Sequence, residues 1–143
     1  MFAQDEALIR ATWDMAAAEA PAIEVEFIRR VCGLAPHLCE LLRGIAATEF
    51  DVLTRTFFGE VVATLNEPRR LIRFLRDFAS TPAAVQLSED DCVLLGLCFI
   101  GAVDTVLGAR LDRAARAACL EAVTLLAALI GRVASQTRGA CVN

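Results

Sequence analysis

Six cysteines, one histidine and two methionines are the side chains of this chain that could hold a metal or act as soft nucleophiles, and there is no tyrosine. Their spacing argues against most of that chemistry. Cys32, Cys39, Cys92, Cys98 and Cys119 each fall inside an apolar helical pattern, where a free thiol behaves as a small hydrophobe. No CxxC pair occurs, and His37 beside Pro36 cannot complete a Cys/His zinc site alone. His37 reads as a surface residue, Met1 and Met15 belong to the first helix, and Cys141 in RGACVN reads as an exposed thiol without a prenylation signature. No glycine-rich phosphate loop, H-E-x-x-H or nucleophile–base pair is present, and carboxylates gather only at helix starts. The expectation is a non-enzyme with no metal centre.

The densest charge is the row Arg69, Arg70, Arg73 and Arg76 in EPRRLIRFLRDF. Its spacing places it on the outer face of a helix, diluted by Glu67 and Asp77. It reads first as a solvated face and second as a contact for an anionic head group or a protein partner. Globally, 14 basic against 18 acidic residues leave a net charge of −4, which gives no footprint for nucleic acid or an anionic membrane. Hydrophobic residues make up 57% and mean hydropathy is +0.53. The longest apolar uncharged runs, Cys92–Val103 and Ala122–Ile130, fall short of the roughly 18 residues a span needs, so they are expected to be buried helices. With no secretory pattern in MFAQDEALIR and cysteines that look unpaired, a reduced, cytoplasmic protein is expected.

Apolar periodicity divides the chain into helices. Leu8/Ile9, Trp13, Ala16/Ala17 and Ala20 share one face of a first helix over Asp5–Glu19. Pro21 opens a second helix to about Leu34 with Val25, Ile28, Val31 and Cys32 inward, and Pro36 opens a short third, PHLCELLR, stopped by Gly44. Thr48-Glu-Phe-Asp51 has capping-box spacing for a fourth helix reaching Leu65. Pro68–Phe78 points Leu71, Ile72, Leu75 and Phe78 inward. Ser88-Glu-Asp-Asp91 caps a helix that Gly108 stops and that must be covered on nearly all sides, and Asp112 caps a last helix to about Ser135. Asp104, on that apolar helix, calls for an internal partner in Arg110 or Arg113. These elements make one all-α domain over 1–143, six main helices and one short.

The order and spacing of these elements resemble the globin family across the whole chain. Trp13 in IRATWDMAA matches the tryptophan of its first helix, and Pro36 in FIRRVCGLAPHLCELLRG matches its turn. CVLLGLCFIGAVDTVLG resembles the penultimate helix of bacterial single-domain and flavohaemoglobin-type members, and RAACLEAVTLLAALI the start of the last. The resemblance implies a globin-like fold. It also implies that haem binding is lost: Pro82 stands at the proximal histidine position, Leu42 at the wedging phenylalanine, Ile28 at the distal tyrosine, Phe50 at the distal Gln/His and Cys92 at the proximal tyrosine.

A globin-like chain without haem must fill the pocket. Leu53, Thr54, Phe57 and Phe78 would join those positions in lining it, either collapsed or around a small apolar ligand such as a fatty acid, its carboxylate held by the arginine row. The resemblance therefore implies a non-haem sensor, regulatory or interaction module, like globin domains of bacterial stress signalling. Homodimerisation is expected through 92–107 and 114–134, whose Ala/Gly-rich surfaces exceed what one copy can cover. The alternative is a haem globin with Cys92 or Cys98 as axial ligand, binding oxygen or nitric oxide.

Overall fold

The protein is all-α. The structure, a computed structural model, describes residues 5–43, 59–81 and 87–142, with side chains to residue 136. Among these there is no strand. Helix α1 spans Glu6–Ala18, α2 Ala20–Leu34, α3 Pro36–Arg43, α4 Pro68–Ala79, α5 Glu89–Leu107 and α6 Arg113–Val142, with a 3₁₀ turn at Gly108–Arg110. Residues 59–63 are also helical. The Thr48 capping box lies outside the described residues.

Helix boundaries follow local chemistry. Proline occupies the first turn of α2, α3 and α4, where a missing N–H costs nothing. At α5 the Asp91 N–H donates to Ser88 Oγ at 3.0 Å and the Ser88 N–H donates to Asp91 Oδ2 at 3.1 Å, a complete capping box. Gly108 at φ 55° stops α5 in a conformation that side chains with a Cβ avoid. Asp112 Oδ1 then accepts the Ala115 N–H at 2.8 Å at the start of α6, as its position in the sequence indicates.

Helices α5 and α6 form an antiparallel pair around which the others are placed. Their register is set by contacts that step down one helix as they step up the other: Asp104 with Arg116, Gly96 with Val123, and Glu89 with Gly131. A Cβ on Gly131 would lie 2.6 Å from Glu89 Cα, so the backbones meet there as only glycine permits. Helix α2 packs along α5, with Phe27 edge-on to Phe99 at 6.2 Å, and α1 and α4 pack on α6. Val31, Leu71, Ala79, Ala102 and Ala134 lie at the centre, almost without exposure. Each large apolar side chain so buried contributes about 1.5–3 kcal/mol. Thr12 and Thr64 are buried too, and each donates its hydroxyl to the carbonyl four residues back, Leu8 and Glu60, at 2.8 Å.

Several expectations are corrected by this packing. Helix α2 is turned so that Ile23, Phe27 and Val31 face the core while Val25 is 70% exposed; the Phe27–Phe99 contact selects that face. Ile72 of α4 is exposed, and the buried row of that helix is Leu71, Leu75 and Ala79. Asp104 pairs with Arg116 at 2.7 Å on a well-exposed surface instead of with Arg110 or Arg113 internally, because the α5–α6 register carries Arg116 back beside it. Arg110 instead donates to the Leu107 and Val106 carbonyls and reaches Glu19 at 3.4 Å. Cys32 and Cys39, expected to be free, are joined as a disulfide, because the corner at Ala35 brings the end of α2 and the start of α3 to a Cα–Cα separation of 4.6 Å. Cys92, Cys98 and Cys119 are buried thiols outside this disulfide.

The expected all-round cover of α5 is also corrected. Only 39% of its apolar window and 44% of that in α6 are buried, and Leu97 on α5 remains 44% exposed. By length and composition alone, Glu89–Arg110 and Arg113–Gln136 are each apolar enough to cross a membrane. Counting uncharged runs missed this, because Asp104, Glu121 and Arg132 interrupt the runs without raising the average polarity much.

Glycine substitutions test the α5–α6 contact with a built-in control. Gly131→Ala is expected to lower unfolding free energy by about 1–3 kcal/mol through backbone displacement. Gly33→Ala, on α2 with open space around its Cα, is expected to raise it by roughly 0.5–1 kcal/mol. Urea denaturation of both variants reads the two signs; a neutral or stabilising Gly131→Ala contradicts the close approach.

Candidate functional site

Four of the pocket positions fall among the described residues. Ile28 on α2, Leu42 on α3 and Phe78 on α4 are half-buried against the core, and Cys92 is buried in the first turn of α5. Phe50, Leu53, Thr54, Phe57 and Pro82 lie outside the described residues.

A cavity of about 60 Å³ sits elsewhere, between α1, residues 61–65, α5 and α6. It is lined by none of those four. Trp13 and Thr12 of α1, Val61, Phe99 of α5, and Cys119 and Ala122 of α6 are among its walls. Small side chains make the space: Ala16 on α1 and Ala122 on α6 stand where larger residues would meet. The accessible lining is apolar, since the Thr12 hydroxyl is occupied by the Leu8 carbonyl. The space is partly open, so its apolar lining is within reach of a small guest from solvent; an apolar space of roughly 150 Å³ is large enough for benzene. This one, of about 60 Å³, suits a molecule of a few heavy atoms. Sequence patterning marked Trp13 as inward, but a void between three helices has no one-dimensional signal.

The buried thiols are poorly suited to reactivity. Burial pushes the Cys119 thiol up, aided by the charge of Asp5 and opposed by a hydrogen bond with Thr12. Burial also pushes the Cys98 thiol up, against the nearby Arg30 guanidinium. Both are therefore held as neutral thiols, the weak form for nucleophilic attack and metal ligation. Among the described residues no three His, Cys, Asp or Glu side chains gather as a metal site.

Polar features lie at the surface. Arg69, Arg70, Arg73 and Arg76 of α4 are all exposed. Arg70 reaches Glu60 at 3.5 Å and Glu67 at 3.4 Å, while the other three have no ion pair among the described residues. Ile72 is exposed on the same helix. On the opposite side, Glu26 of α2 is held below the usual carboxylate range, first by its hydrogen bond from Arg29 and then by Arg30. Arg30 also donates to Thr105 Oγ1 of α5 at 2.6 Å.

The start of α5 collects further polar contacts. His37 of α3 places Nε2 2.9 Å from Asp91 Oδ1. A carboxylate only accepts, so Nε2 carries the proton. This bond and the Ser88 donors hold the Asp91 carboxyl below its usual range, with burial opposing. Fifty-four positions separate the two residues, and no local pattern in the sequence relates them.

Compared with models of known protein families and with characterised protein sequences, the chain matches none.

Two measurements follow from this geometry. Trp13 is the single tryptophan and there is no tyrosine, so intrinsic emission reports directly on the cavity wall. Xenon is expected to quench it beyond collisional quenching of free N-acetyltryptophanamide, and Ala122→Leu, which fills the space, should remove the excess. Equal quenching in the two proteins would show that the cavity takes no guest. For Asp91 the folded value is depressed, so its stabilisation is present above the unfolded value of about 3.9 and is lost as pH falls through the folded one. Asp91→Asn should cost about 0.5–1 kcal/mol near neutrality and flatten the acid limb of a stability–pH curve; an unchanged limb would contradict the assignment.

Proposed function

We propose that this chain is a non-catalytic sensor or interaction module, a globin-like domain without haem that pairs with a second copy through the outer faces of α5 and α6. The observation that carries the reading is the unpaired apolar surface on those helices. Leu97 on α5 and Leu120 and Leu125 on α6 are 44%, 40% and 39% exposed, on the two most apolar helices of the chain. Covering those side chains against a second copy removes apolar surface from water at about 25 cal/mol per Å². Glu121 and Arg132 are also exposed on α6, a charge pair that suits an antiparallel partner.

Support for the globin-like arrangement is the inward Trp13 on the first helix, the Pro36 corner and the long antiparallel terminal pair. For the absence of haem it is the chemistry of the donors: His37 is exposed and engaged by Asp91, and the Cys98 thiol is held neutral by burial. A fatty acid in the pocket inferred around Phe50, Phe57 and Phe78 rests on the exposed Arg69, Arg73 and Arg76 nearby in sequence, since the described cavity is lined by other residues. The case for a reducing cytoplasm is weaker than the sequence suggests, because Cys32 and Cys39 are paired.

Light scattering at micromolar concentration is expected to give twice the chain mass, with Leu120→Glu and Leu97→Glu each shifting it to the monomer without loss of helical circular dichroism. A monomer for the parent chain overturns the dimer reading. Haemin added to the purified protein is expected to give no sharp Soret band; a band that Cys92→Ala or Cys98→Ala abolishes would establish the haem alternative.

A further inference from the structure

The Cys32–Cys39 disulfide closes a ring around the whole α2–α3 corner, and its two sulfur positions are not equivalent. Cys32 lies in the last turn of α2 and is partly exposed, whereas Cys39 lies in the first turn of α3 and is 6% exposed. The carbonyl end of α2 disfavours negative charge on Cys32, and the N–H end of α3 favours it on Cys39. An incoming thiolate therefore meets an accessible sulfur at Cys32, and the better leaving group stands behind it at Cys39.

We propose that Cys32–Cys39 is a thiol–disulfide exchange site for a dithiol donor, and that its reduction releases α3 from the N-terminus of α5. The donor thiolate attacks Cys32 Sγ. A sulfur–sulfur bond to the donor forms as the Cys32–Cys39 bond breaks, and the electron pair leaves on Cys39 Sγ, which takes a proton from water. The donor's second thiol, deprotonated, attacks its own sulfur in the mixed disulfide and expels Cys32 as a thiolate that is then protonated. Two electrons and two protons have moved to the protein, and the donor departs as a disulfide.

The consequence follows from how little else holds α3. It has eight residues, and helices shorter than about 12 residues are marginal on their own. With the ring open, its described anchors are buried Leu38 and Cys39, half-buried Leu42 and the His37–Asp91 contact. That contact touches the residue that completes the α5 capping box. The redox state at the corner is thereby transmitted to the start of the helix on which the core is built.

The full chain is tested with glutathione as a monothiol probe, quenched with acid, and the peptide 31–43 carrying both sulfurs is fragmented in a mass spectrometer. Glutathione is expected on Cys32 in roughly tenfold excess over Cys39. Equal labelling, labelling mainly of Cys39, or reduction only after unfolding in urea overturns the proposal. Hydrogen exchange then compares the oxidised chain with the chain reduced by dithiothreitol and with the double variant Cys32→Ala/Cys39→Ala. Faster exchange over 36–43 and 88–92, with the middle of α6 unchanged, is expected in both comparisons. Protection unchanged at 36–43 would show that the disulfide does not hold α3.

Discussion

The approach of Gly131 to the backbone of Glu89 sets the distance between α5 and α6, and most of the molecule depends on that distance. Two helices that come this close need small side chains between them, and Ala127 lies 3.3 Å from where a Cβ on Gly96 would stand. Small residues at the contact leave the larger ones to point elsewhere. On one side they meet α1, α2 and α4, where Phe27, Val31, Leu71 and Leu75 complete the core. Leu97, Leu120 and Leu125 are left well exposed among the described residues. The tight seam and the bare outer face are thus two results of one distribution of side-chain size.

The same logic explains the cavity. Interiors pack near crystal density, and a void forms where small residues from different helices coincide. Ala16, Ala122 and the segment at Val61 coincide opposite Phe99, leaving about 60 Å³. The space lies beside the single tryptophan, and a guest that fits it would bury apolar lining from α1, α5 and α6 at once.

What was legible in the sequence was local. Pro21, Pro36 and Pro68, the Ser88–Asp91 box, Gly108 and Asp112 act within one turn of chain, and the helices begin and end where they indicate. The features missed are those decided by register between helices. Val25 and Phe27 compete for the inward face of α2, and contact with Phe99 decides between them. Asp104 finds Arg116 because α6 returns alongside α5 at a particular offset. Cys32 and Cys39 read as two unrelated thiols until the corner folds them together. For the candidate site, periodicity identified Trp13 as inward, while Cys119 and Thr12 beside it carry no pattern that distinguishes a cavity wall from ordinary core.

Placing polar contacts at the N-terminus of α5 has a physical reason in the composition of that helix. Between Cys92 and Val103 it has no charge with which to fix its rotation or its position along its neighbours, and apolar packing alone discriminates weakly between registers. Directional bonds at its ends supply what its middle lacks. Ser88, Asp91 and His37 fix one end, and Asp104 with Arg116 and Arg30 with Thr105 fix the other. Each surface bond is worth little in stability, but a slip of one turn would break all of them at once. The register of the core is therefore guarded at the helix ends, and the α3 corner, held by its disulfide, contributes one of the guards.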